Sequence, residues 1–195
     1  MYGRSLWQNT GASLGDTVMN DQWVVYISKE QIAQAVQTLA TEIDRDYAGR
    51  SLVVVAVLKG AFIFVADLIR ALNTAVDRVE LLRLSSYGAG TESSGKVKVL
   101  VDLPPGAVTD QHVLLVEDIV DSGRSTTVAF NLLKEQQPAS IKLCSLLSKP
   151  ERRVVPVDID YCGLTIEDKF VIGYGLDWDE RYRDLPDIYA IEAAE

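Results

Sequence analysis

Glu117, Asp118 and Asp121 stand directly after an apolar run, Val113 to Val116, and directly before a turn of small and hydroxylated residues, Ser122 to Thr126. The run reads as a strand covered on both faces, and Glu117 and Asp118 fall where that strand leaves the core. Ligands of open α/β sheets bind in the crevice beyond the carboxyl ends of the strands. Ser122, Gly123, Ser125 and Thr126 offer amides and hydroxyls, Gly123 permits a tight turn, and Arg124 adds a cation. A helix expected over about Ser125 to Gln137 would point its positive end at the turn, a geometry suited to phosphate. An anion, a sugar and a divalent metal can all be held at such a strand end. Helix capping alone accounts for Ser125 or Thr126, but not for two adjacent acids with a third close behind. The spacing fits neither the Walker loop nor the dinucleotide glycine pattern.

Four other segments carry candidate chemistry. Lys59-Gly60 follows the apolar run Leu52 to Leu58; the lysine either meets an anion or snorkels to water. Ser85 to Gly95 is polar and glycine-rich, so it is either a plain surface loop or a lid that expels water. Lys149 ends another apolar run, and an ammonium there donates hydrogen bonds but accepts none. The stretch Phe170 to Pro186 combines an exposed-type aromatic, the core-type residues Val171 and Ile172, Gly173 and Gly175, and a charged run holding Asp177 and Arg183. Within it Asp179, Glu180 and Arg181 read as solvated.

The elements that must position these groups alternate in type. Ser28-Lys29-Glu30-Gln31 is a capping-box pattern, and it opens a helix with Ile32, Val36, Leu39, Ala40 and Ile43 on one face. Strands are expected over 52–58, 79–84, 96–101, 113–116, 141–147, 158–164, 169–174 and 188–192, with a second helix over 61–73. This order implies an α/β fold with a mainly parallel twisted sheet flanked by helices. Residues 1–20 read as a loosely ordered tail, and 21–195 as one domain. A chain of 195 residues that is 48% apolar and 24% charged has material for one sizeable core. The net charge of −9 argues against non-specific nucleic-acid binding. No apolar run approaches a membrane span and no secretory leader pattern opens the chain. Cys144 and Cys162 make no disulfide framework and read as buried free thiols, in keeping with a reducing cytoplasm. His112 reads as an edge or surface residue.

The stretch Val116 to Ser125 closely resembles the phosphoribosyl pyrophosphate signature of type I phosphoribosyltransferases, and Phe170 to Pro186 resembles the carboxyl-terminal region of the hypoxanthine-guanine members almost residue by residue. The resemblance runs from about Val24 to the end. It implies the type I phosphoribosyltransferase fold, with a small hood formed from the terminal regions. It also implies transfer of a 5-phosphoribosyl group from 5-phosphoribosyl 1-pyrophosphate to a 6-oxopurine with Mg2+ as cofactor, in a homodimer or homotetramer. By the match, Glu117 and Asp118 grip the ribose hydroxyls directly or through magnesium, and Ile119 and Val120 continue the same strand end. Asp121 is the general base at purine N7, and Ser122, Gly123, Arg124, Ser125 and Thr126 cradle the 5-phosphate. Lys59 and Gly60 form the pyrophosphate loop, where the bond before the lysine can be cis. Ser86 and Tyr87 belong to the mobile catalytic loop, and Lys149 contacts the 6-oxo group. Phe170 stacks on the base, the backbone of Val171 and Ile172 reads its edge, Asp177 helps bind magnesium and Arg183 contacts pyrophosphate. Trp178 stands where a tyrosine is more usual. Two alternatives share this fold: an RNA-binding regulator of pyrimidine operons, and a transferase for another base such as xanthine, adenine or uracil.

Overall fold

The computed structural model describes residues 23–86 and 97–191. The expected tail, residues 1–20, and Tyr87 with the rest of the candidate lid up to 95 lie outside the described residues. A six-stranded sheet runs in the order β4-β3-β2-β5-β6-β7. It comprises β2 (Ser51–Leu58), β3 (Ala75–Ser86), β4 (Val97–Val101), β5 (His112–Val120), β6 (Ser140–Ser148) and β7 (Tyr161–Thr165). All neighbours pair in parallel except β3 and β4. A separate antiparallel sheet, β1 (Trp23–Ile27), β9 (Ile188–Ile191) and β8 (Val171–Ile172), forms the hood from the two terminal regions.

Strand alternation explains why the core runs show no hydrophobic period. Leu52, Val54 and Ala56 of β2 pack with α1 (Lys29–Asp46) and α2 (Phe62–Ala71), whereas Val53, Val55 and Val57 pack on the other face with Ala129 and Leu133 of α3 (Arg124–Glu135). The start of α1 follows its sequence signal: Ser28 accepts from the Gln31 amide while the Gln31 side chain accepts from the Ser28 amide.

Five expectations need correction. The central strand does not stop at Val116. It continues through Glu117 and Asp118 to Val120, because β6 keeps pairing as far as Val120 opposite Ser148 while β2 pairs only up to Val116. The two acids therefore sit within a strand that has lost one neighbour. The strand expected over 169–174 shortens to Val171–Ile172 and joins the hood rather than the main sheet. β1 carried no strand expectation; its partner β9 lies at the far end of the chain. Cys162 is exposed, whereas Cys144 is fully buried and its thiol is pushed up by burial. His112, expected at an edge or the surface, instead sits half-buried at the start of the central strand β5, with Nδ1 2.8 Å from Ser140 Oγ.

Candidate active site

Two adjoining cavities open at the carboxyl rim of β2 and β5. One, of about 190 Å³, is lined by Gly60, Glu117, Asp118, Ile119, Asp121, and by Ser122, Gly123, Ser125 and Thr126 of the turn. The other, of about 530 Å³, is lined by Lys59, Arg83, Asp177, Asp179, Glu180 and Arg183. Leu58 and Leu84 border both.

Gly123, the residue just before α3, lies in the left-handed region at φ +82, and a Cβ there would press on the Val155 carbonyl 2.5 Å away. No side chain caps α3. Its first-turn amides, which have no intrahelical acceptors, belong to the turn that borders the smaller cavity. Thr127 donates instead to the Gly123 carbonyl at 2.8 Å, and Thr126 donates to Glu117 Oε1 at 3.2 Å. The Thr126 hydroxyl therefore does not cap α3.

Gly60 is required by contact rather than by flexibility: a Cβ there would overlap the Asp118 carboxylate, and one on Gly175 would overlap the Gly60 carbonyl. The peptide bond Leu58–Lys59 is cis. Desolvation pushes Glu117 well above the usual carboxylate range, the neighbouring Asp118 charge adds to this, and the Thr126 hydrogen bond opposes it. Burial pushes Asp118 up to about 6, against its backbone hydrogen bonds and the Arg183 charge. Two acids so placed favour a cation between or beside them.

Across the cleft, Arg183 lies 2.8 Å from Asp177 Oδ1 and donates to the Gly175 carbonyl at 2.7 Å. Lys59 Nζ lies 2.7 Å from Glu180, which also lies 3.1 Å from Arg183. Asp121 pairs with Arg152 Nε at 3.0 Å. Lys149 is buried, with its pKa lowered by desolvation, and its ammonium donates to the Lys169 carbonyl at 2.5 Å. Phe170 is 50% exposed, and its ring centroid lies 6.4 Å from those of both Trp23 and Trp178.

The structure thus brings Lys59, Gly60, Glu117, Asp118, Ile119, Asp121, the Ser122–Thr126 turn (with Arg124 opening α3), Asp177 and Arg183 to one rim. Val120, Val171 and Ile172 are buried. Ser86 ends β3 opposite Val97. Sequence reasoning missed three participants. Glu180 reads from sequence as solvated, yet it pairs with two of the three cations of the larger cavity, Lys59 and Arg183; Lys59 lies 121 positions away, so no local pattern announces the pairing. Arg152, the partner of Asp121, and Trp23 in the hood carried no motif signal.

Among the described residues no three acidic, histidine or cysteine side chains form a metal cage, so Glu117, Asp118 and Asp177 do not enclose an ion by themselves. Magnesium fits this arrangement nonetheless. It is held by one or two carboxylates and completes its shell with water and substrate phosphates.

The phosphoribosyl transferase domain model matches residues 26–179. The chain belongs to the phosphoribosyltransferase family. It is 43% identical over 167 residues to a hypoxanthine-guanine phosphoribosyltransferase of Aquifex aeolicus, covering 85% of this chain and 93% of that one. A crystal structure of a hypoxanthine-guanine phosphoribosyltransferase from Bacillus anthracis superimposes with a TM-score of 0.80 at 43% identity, covering 87% of this chain and 98% of that one. A bifunctional TilS/HprT protein of Listeria innocua is 42% identical over 171 residues, which is 88% of this chain but only 26% of that longer relative.

Proposed function

We propose that the protein is a purine salvage enzyme that transfers the 5-phosphoribosyl group of 5-phosphoribosyl 1-pyrophosphate to hypoxanthine or guanine, releasing pyrophosphate and giving IMP or GMP. One observation carries this reading: a phosphate-type turn, two ribose-height carboxylates and a lysine–arginine pair share one sheet rim. The family relatives named above support the same reaction.

In this mechanism the Ser122–Thr126 amides and hydroxyls hold the 5-phosphate, and Glu117 and Asp118 face the ribose hydroxyls. The C1–O bond breaks with its electron pair leaving on pyrophosphate, purine N9 donates the pair that forms the new C1–N bond, and the N7 proton passes to Asp121. Lys59 and Arg183 neutralise charge as it builds on the leaving group. Magnesium, held by Glu117, Asp118 or Asp177 together with substrate oxygens, would further neutralise the diphosphate. Lys149 favours a 6-oxo acceptor and disfavours a 6-amino group, which would set donor against donor. Phe170 offers a half-exposed ring for the base. Residues 21–195 act as one catalytic domain, the assembly is a homodimer or homotetramer, and the two free cysteines suit the cytoplasm.

A panel of bases incubated with 5-phosphoribosyl 1-pyrophosphate and magnesium tests this. Nucleotide should form with hypoxanthine or guanine and not with adenine or uracil. RNA retention on a filter without nucleotide formation would instead favour the operon-regulator alternative, which the net charge of −9 disfavours.

A further inference from the structure

Glu180 sits in a place the reaction described above gives no reason for. Trp178 and Arg181 exchange backbone hydrogen bonds at 3.3 and 3.1 Å, closing a two-residue turn over Asp179 and Glu180. Both central residues have positive φ, 51 and 65. Such a turn favours Asn-Gly, and a glutamate at its second position meets the steric penalty of the left-handed region. The Glu180 amide donates to Asp177 Oδ2 at 2.9 Å, which orients the residue. Its carboxylate then reaches Lys59 at 2.7 Å and Arg183 at 3.1 Å, the two cations that face the leaving group. Those cations hold Glu180 ionised, below its ordinary range.

The cavity they line balances its charges among the described residues: Lys59, Arg83 and Arg183 against Asp177, Asp179 and Glu180. A balanced cavity attracts a polyanion weakly. Without Glu180 the same lining is net positive. The Glu180 side chain is 62% exposed, and solvent-exposed ion pairs are weak. Charge-assisted contacts from arginine and lysine to a diphosphate are stronger than those to one exposed carboxylate. The carboxylate is therefore held well enough to compete, and loosely enough to be displaced.

We propose that Glu180 is a built-in competitor for pyrophosphate: its carboxylate occupies Lys59 and Arg183, gives way to the diphosphate of the substrate, and returns to those cations to drive pyrophosphate out. This inference rests on the phosphoribosyltransfer reading and adds to it a residue that sets leaving-group affinity.

Calorimetric titration of magnesium pyrophosphate into wild-type protein, Glu180→Gln and Glu180→Gly, with inhibition kinetics beside it, tests the proposal. Glutamine removes the charge and keeps the turn, while glycine removes both charge and backbone strain, so a folding defect in one leaves the other to report. Both variants should bind pyrophosphate roughly three- to tenfold more tightly. The KM for 5-phosphoribosyl 1-pyrophosphate should fall by a similar factor, with the KM for the purine unchanged. In a Lys59→Ala background the gain should shrink, because the competitor acts through that ammonium. Equal or weaker pyrophosphate binding by both variants would overturn the proposal while leaving the enzymatic reading intact. Wild-type protein that neither binds pyrophosphate nor makes nucleotide would overturn both.

Discussion

Charged clusters occupy both ends of the main sheet, and Asp46 at one end and Glu117 at the other are held in opposite ways. At the amino end Lys142 lies 2.9 Å from Asp46, Tyr161 donates to the same Asp46 oxygen at 2.9 Å, and Lys142 donates to the Tyr161 hydroxyl at 3.0 Å. Lys142 also lies 5.0 Å above the Tyr161 ring. Every charge there has a partner, and the Lys142 and Tyr161 hydrogen bonds hold Asp46 down at about 2. At the carboxyl end Glu117 has one hydroxyl partner and a second acid beside it, and burial pushes its pKa up. A satisfied network stabilises the fold. An unsatisfied one is tolerated where a ligand will complete it.

Substitutions should separate the two ends. The largest effect is expected from Asp121→Asn, with turnover falling by about 10²–10⁴-fold and the melting temperature unchanged, read by steady-state kinetics and thermal unfolding. Glu117→Gln should come next. The KM for 5-phosphoribosyl 1-pyrophosphate should rise about tenfold, while thermal stability stays level or rises because a desolvated charge is gone. Tyr161→Phe should do the reverse, lowering the melting temperature by roughly 2–4 °C through the lost half-buried hydrogen bonds to Asp46 and from Lys142 and leaving KM untouched. If Glu117→Gln destabilised and Tyr161→Phe slowed the enzyme, the contrast between the two ends would be wrong.

The same contrast sets the pH dependence. Burial raises Asp118 from 3.8 to about 6 on folding and raises Glu117 in the same direction, so the folded state binds more protons at that end. The Asp118 contribution is complete below about pH 4 and is lost as pH rises through 6. Asp46 falls to about 2, so its contribution is present above about pH 4 and is lost as pH drops toward 2. Unfolding followed between pH 2 and 8 should show both flanks, and Glu117→Gln should flatten only the upper one. The smallest effect is expected from Lys149→Ala, which should weaken 6-oxopurine binding by about threefold; unchanged binding by calorimetry would remove its assigned role.

What the sequence disclosed follows the range of each signal. The α1 capping box is written in four adjacent residues and is found as expected. The rim acids and the α3 turn lie within one strand–turn–helix, so their proximity needed no tertiary knowledge. The extent of β5 was not legible, because it depends on β6 continuing to pair after β2 has stopped. β1 was missed for the same reason: a five-residue run shows its role only against β9. The need for glycine at position 60 lies in the Asp118 carboxylate packed against it from another strand, and no local pattern carries that.

The most direct test is calorimetric titration of 5-phosphoribosyl 1-pyrophosphate with magnesium into the wild-type protein and the Glu117→Gln variant. One site per chain is expected, with affinity reduced in the variant. Absence of binding to wild type, or equal binding to both proteins, would contradict the assignment of the β5 rim as the phosphoribosyl site.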